Sequence, residues 1–295
     1  MTAAAHPLVA EVADDAQAPP DIALLYGDIR RTLGNEVVNL VFRRLAAQGA
    51  PLLAVVWHCL RPAYTDGRLE ALAARLLPEL PMLTDSGAAG VNSWPNRTEA
   101  AAMRRIMLAY DRNNRRNLIA FTALFSTPVT APPALRRPGR KATPRVPSVP
   151  DDWLEAMRAA PLASALPLWP DSAALDGPVR DCLARLDRFG DPGKGPPLAS
   201  LYRHLAHWPA FLTDAETRLT PLQASGCLAR ATARTRAQAE TAARLLPDLA
   251  VDPVMQARLE PVIGDLVRRT LPKMVPIGRL LGAMLLPPSA KGDGR

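Results

Sequence analysis

The stretch Val41–Pro62, VFRRLAAQGAPLLAVVWHCLRP, returns 160 residues later as Leu201–Pro221, LYRHLAHWPAFLTDAETRLTP. Phe42-Arg43-Arg44-Leu45-Ala46 is matched by Tyr202-Arg203-His204-Leu205-Ala206. A second echo keeps the same order: AARLLPEL from Ala73 and AARLLPDL from Ala242, each closed by a helix-breaking proline. Two echoes in one order read as a duplication, about 22–126 and 178–286. A functional site is then expected where the two copies meet.

Around these echoes the chain reads as helices throughout. Ile22, Leu25, Ile29 and Leu33 recur three or four apart, the spacing of a helix face. Val37 to Ala47 reads as a second helix, stopped by Gly49 and Pro51. Thr65-Asp66 opens a helix through Leu77, and Thr98 opens a longer one that the polar pair Asn113-Asn114 is expected to break. In the second copy Asp176 precedes Pro178 as an N-cap, and a later helical stretch follows Asp252-Pro253. No sustained alternation of β-branched residues occurs, so the expected fold is all-α: two tandem helical-bundle repeats forming a pseudo-dimer. The domain reading is a flexible N-terminal segment 1–19, repeat 1 over 20–127, a Pro/Arg-rich linker 128–150, repeat 2 over 151–287 and a flexible tail 288–295.

Composition agrees with packed helices. Apolar residues at 48% and charged ones at 22% describe a globular chain, and aromatics at 5% leave Leu and Ala to fill its interior. Thirty-one prolines imply short, sharply ended helices. The net charge of +8 is concentrated: Arg136, Arg137, Arg140, Lys141 and Arg145 lie in the acid-free run TPVTAPPALRRPGRKATPRVPSVP. Because no aromatic is interleaved there to stack a base, nucleic acid is not an expected partner. Cys59, Cys182 and Cys227 lack C-x-x-C spacing and read as reduced packing residues of a cytoplasmic protein. The N-terminus lacks a secretory pattern, and the late apolar run MVPIGRLLGAMLLPP is too short to span a bilayer.

Few motifs carry chemistry. His204 and His207 share a helix face at i, i+3, but no third ligand at diagnostic spacing accompanies them, and no metal or other cofactor is expected. The loop GDPGKG is followed by Pro196 and preceded by no strand, which excludes a nucleotide P-loop. It reads as a flexible turn or as a cradle for a small anion. Asn113-Asn114 reads as capping, or as an amide that holds a water by donating and accepting at once.

With YGDIRRTLGNEVVNLVFRRLAA, YDRNNRRNLIAFTALF and LASLYRHLAHWP in view, the chain resembles the group I 2-haloacid dehalogenases, also named the halocarboxylic acid dehydrogenase family. The resemblance covers nearly the whole chain. It implies an all-α pseudo-dimer with its site between the repeats, in which an Asp activates a water that attacks the halogen-bearing carbon directly, without a covalent ester. It places Asn114 at the family's water-orienting Asn and Ser200 at the Ser before the catalytic Asp. Leu201 then occupies the position of that Asp, Val37 that of a pocket Trp and Leu40 that of an aromatic; Tyr202 follows in the same wall. A Leu cannot take a proton, and a general base typically contributes ~10²–10⁴-fold. Three residues stand near enough in sequence to replace it: Asp111, one turn before Asn114; Glu36, before Val37; and His204, one turn after Leu201. The resemblance implies a dehalogenase-like hydrolase of a small 2-substituted carboxylic acid. Two alternatives stay open: a non-catalytic binder of an apolar small molecule or carboxylic acid, and a helical interaction protein with a basic linker. A homodimer is admitted as the assembly.

Overall fold

A computed structural model describes residues 11–12, 18–35, 37–76, 80, 96–126, 175–191 and 199–285. Among these residues there is no strand, so the chain is all-α. The expected linker 128–150, the tail 288–295, the loop 192–198, Glu36 and most of segment 1–19 lie outside the described residues.

Local chemistry sets the early helices. Helix α1 (Pro20–Leu33) has Pro in its first turn and buries Ile22, Tyr26, Ile29 and Leu33 along one face. It ends at Gly34, whose φ of 61° is the left-handed stop that closes many helices. Helices α2 (Leu40–Ala46), α3 (Ala50–Thr65) and α4 (Arg68–Arg75) follow on short turns. α5 (Arg97–Leu124) then runs for 28 residues without interruption. The break expected at Asn113-Asn114 does not occur. Asn is only a weak helix former, and burial of this stretch outweighs that preference: Asn113 is 1% exposed and Asn117 fully buried.

The later half comprises α6 (Gly177–Leu186), α7 (Ser200–Leu205), α8 (Pro209–Ala224), α9 (Cys227–Ala243), a 3-10 turn at Pro247–Leu249 and α10 (Pro253–Asp265). Asp252 caps α10, its carboxylate accepting the Met255 amide at 2.8 Å. A π-helical turn at Leu266–Thr270 leads directly into α11 (Leu271–Ala283). Pro272 lies in the first turn of α11 and supplies no N–H, so the regular ladder is locally interrupted there.

Two compact units result. The first takes its residues from 1–77, 115–164 and 236–268, the second from 78–114, 165–235 and 269–295. Each unit therefore draws on both halves of the sequence.

In the first unit α3 packs against α1, α2 and α4, and α10 against α2. Its centre is aromatic: Phe42 meets Trp57 edge-on at 5.7 Å and Phe121 at 5.3 Å. Arg116, 2% exposed, pairs with Glu70 at 3.2 Å and donates to the Leu33 carbonyl at 2.6 Å. Tyr64 donates to Asn117 Oδ1 at 2.7 Å, and burial pushes its phenol well above the ordinary range.

In the second unit α8 packs against α6 and α7. Leu183, Leu186, Leu201, Leu205, Leu212 and Ile277 form part of its apolar core.

Candidate functional site

The described positions singled out by sequence fall into both units. Val37 and Leu40, both half-buried, belong to the first; Asp111, Asn114, Ser200, Leu201 and Tyr202 belong to the second. Within the second unit they lie on two helices. α5 carries Tyr110, Asp111 and Asn114; α7 carries Ser200, Leu201, Tyr202 and His204.

Tyr110 and His204 join these helices directly. Tyr110 Oη and His204 Nδ1 lie 3.1 Å apart in a buried hydrogen bond, with the rings edge to edge at 5.7 Å. Asn114 follows Tyr110 by four residues and Leu201 precedes His204 by three, so each shares a helix face with one member of the pair. Asn114 is 6% exposed, yet its amide makes no hydrogen bond among the described residues.

Leu201 is 1% exposed and embedded in the core cluster, and a Cβ added at Gly278 would lie 3.6 Å from its Cδ2. Its neighbour Tyr202 is wholly buried, and its Oη has no partner. Ser200 is buried and bonded; Asp111 is half-buried and engaged.

One acidic group near α7 was not anticipated. Asp187, just after α6, is 7% exposed, and its Oδ1 faces Lys273 Nζ at 3.3 Å and accepts the Ala199 amide at 3.4 Å. Lys273, fully buried, also donates to the Asp187 carbonyl. Burial raises the Asp187 carboxyl above the usual carboxylate range, with Lys273 opposing that rise; burial likewise lowers the Lys273 ammonium. Tyr202, buried and near the Asp187 charge, is held far above an ordinary phenol. The chain turns away at Gly190, with φ 78° and its Cα facing Thr232 and Lys273 so closely that a Cβ would lie 2.8 Å from Thr232 Oγ1. A glycine is required there.

Sequence reading missed the Asp187–Lys273 pair because 86 residues separate its members. The one local signal was an Asp in LDRFG at the end of a helical pattern, where a solvated acid is the ordinary expectation.

Among the described residues no group of three His, Cys, Asp or Glu side chains is placed to hold a metal. No helix there is long and apolar enough to cross a membrane. Cys59, Cys182 and Cys227 are free thiols, and burial, helped by Glu216, pushes Cys182 up to about 12.

No protein-family model matches the chain, and no curated protein matches it. Among solved structures it is similar to a D-2-haloacid dehalogenase mutant in complex with D-2-CPA. The TM-score is 0.61 at 17% identity, over 94% of this chain and 96% of that one. At that identity the likeness establishes a shared fold.

Proposed function

We propose that this chain is a divergent haloacid-dehalogenase-like hydrolase that acts on a small 2-substituted carboxylic acid by direct attack of water, without a cofactor. The observation that carries the reading is Asn114. A residue 6% exposed, whose side-chain amide makes no hydrogen bond among the described residues, is suited to hold and orient one water, because the amide donates and accepts at once. The shared fold with a dehalogenase bound to D-2-CPA supports the substrate class. Ser200 assists in positioning, and Leu201 and Tyr202 supply the substrate-facing wall within their unit. Asp111 and His204 are the sequence-derived candidates for proton acceptor. The proposal carries with it the repeat organisation over 20–127 and 151–287 as a pseudo-dimer and, given three free thiols, a cytoplasmic setting.

A second reading is favoured by Leu201 itself. A leucine 1% exposed in an apolar cluster, where the family resemblance expects an acid, suits a protein that binds a carboxylic acid without turning it over.

Halide release from both enantiomers of 2-chloro- and 2-bromopropionate, measured beside thermal stabilisation by the same acids, separates the two. The hydrolase reading expects slow, enzyme-dependent halide release, faster for bromide, and its loss in Asn114→Ala. Stabilisation with no halide from either enantiomer overturns it in favour of the binder. Leu201→Asp sharpens the test. A carboxylate there should raise the rate, with a gain that grows with pH because an apolar surrounding keeps the new acid protonated until higher pH.

A further inference from the structure

We infer that Asp187 is the proton acceptor of the proposed hydrolysis, taking the place of the acid that position 201 lacks; this rests on the hydrolase reading above. The acid and Asn114 belong to the same unit.

Three observations combine. First, the two oxygens of Asp187 are differently occupied. Oδ1 faces Lys273 Nζ and accepts the Ala199 amide, whereas Oδ2 makes no hydrogen bond among the described residues. One oxygen is fixed and the other is open, which is what an oriented base requires. Second, the fixed oxygen is tied to the backbone two residues before Leu201. With 3.4 Å to the Ala199 nitrogen and two residues of chain beyond it, the carboxylate lies no more than ~12 Å from the Leu201 Cα. Lys273 also rides on α11, where a Cβ added at Gly278 would lie 3.6 Å from Leu201 Cδ2, so one element runs beside both the acid and the residue that replaces the expected base. Third, the surroundings are polar without being satisfied. Tyr202 Oη and Thr232 Oγ1 are buried without partners, the pattern left where ordered water or substrate completes the bonding. The first-copy counterpart of Tyr202 is Phe42, wholly buried among rings, so a hydroxyl is not needed to pack this helix position.

In the step, Asp187 Oδ2 removes a proton as the water oxygen bonds to C2. The carbon–halogen electron pair leaves with the halide, and Asp187 then returns the proton to solvent. Overall, water and the 2-halo acid give the 2-hydroxy acid, halide and a proton. The charged and titratable groups facing Asp187 are Lys273 and Arg269 on the α11 side and Tyr202 on α7. The cations favour its ionised form and burial opposes it, so its activity limb should lie above that of a solvated carboxylate.

The test is halide release against pH for wild type, Asp187→Asn and Asp187→Glu, with hydroxy-acid product counted in parallel. Asp187→Asn should lower kcat by ~10²–10⁴-fold with KM little changed. Asp187→Glu should retain part of the rate and move the rising limb of the pH profile. An Asp187→Asn protein with wild-type kcat and limb overturns the inference while leaving the hydrolase reading intact. Wild type without halide release from any 2-halo acid overturns both. If Asp187→Asn fails to fold, Asp187→Glu decides alone: an unchanged limb in a folded, active variant sinks the idea.

Discussion

Phe42 and Tyr202 occupy matching places in the two echoed helices, and both are completely buried. Phe42 is closed in by Trp57 and Phe121, a purely apolar solution. Tyr202 carries one more oxygen, finds no partner for it and lies in the field of Asp187. An unsatisfied buried hydroxyl costs ~1–3 kcal/mol. The same contrast recurs in the buried cations. Arg116 engages Glu70 and the Leu33 carbonyl, and its guanidinium lies 5.9 Å from the Tyr64 ring centroid. Lys273 holds one carboxylate, which has an oxygen to spare. The contrast belongs to these matched positions and not to the units as wholes: Asn35 Oδ1, Asn39 Oδ1 and Asn117 Nδ2 of the first unit are buried without a hydrogen bond, as Tyr202 Oη and Thr232 Oγ1 are in the second.

The comparison can be broken most forcefully at the cations. Lys273→Met leaves the Asp187 carboxylate buried without its cation and should cost about 3–5 kcal/mol of stability in urea unfolding at neutral pH. Arg116→Met should cost a comparable amount, because Glu70 and Asp187 are similarly withdrawn, at 12% and 9% side-chain exposure. A larger loss from Arg116 than from Lys273 would show that the first unit is the more dependent on its polar pair. Next in size are the reciprocal swaps. Phe42→Tyr should destabilise by ~1–3 kcal/mol by burying a hydroxyl among rings, whereas Tyr202→Phe should be neutral or stabilising. If Tyr202→Phe destabilises strongly, its hydroxyl has a partner and the contrast fails.

The smallest effect concerns an exposed network of the first unit. Asp28 accepts from Trp57 Nε1 at 2.8 Å and from Arg61 Nε at 2.8 Å, and Arg61 chiefly holds its carboxyl below the usual range. With the folded value below the unfolded one, its contribution is complete above about pH 4 and is lost as pH falls through the lowered value. Asp28→Asn should flatten the acid limb of Tm against pH and cost ~1 kcal/mol or less at neutrality, since Arg61 is half exposed.

The helices were legible because their signals are local: Pro20 and Gly34 bracket α1, and Asp252 with Pro253 opens α10. Asn113-Asn114 misled because the local preference of Asn is weak beside burial, and the result is one helix where two were expected. The site was legible only in part. Asn114, Ser200 and Leu201 emerged from resemblance, and their burial places them away from bulk solvent. Asp187 was invisible, since its importance comes from Lys273, on a helix almost ninety residues away.

Consider finally the composition of the first unit, which needs residues 236–268 beside residues 1–77. Arg68 grips Asp248 across 180 positions with both guanidinium nitrogens. On a ribosome that emits the chain from its N-terminus, the opening quarter must wait, with apolar faces uncovered, until much of the closing fifth has emerged. Such long-range closure slows folding and prolongs exposure to aggregation. The protein should therefore depend on chaperones during synthesis more than its helical content suggests, and a chain interrupted before Pro253 should be cleared rather than accumulate.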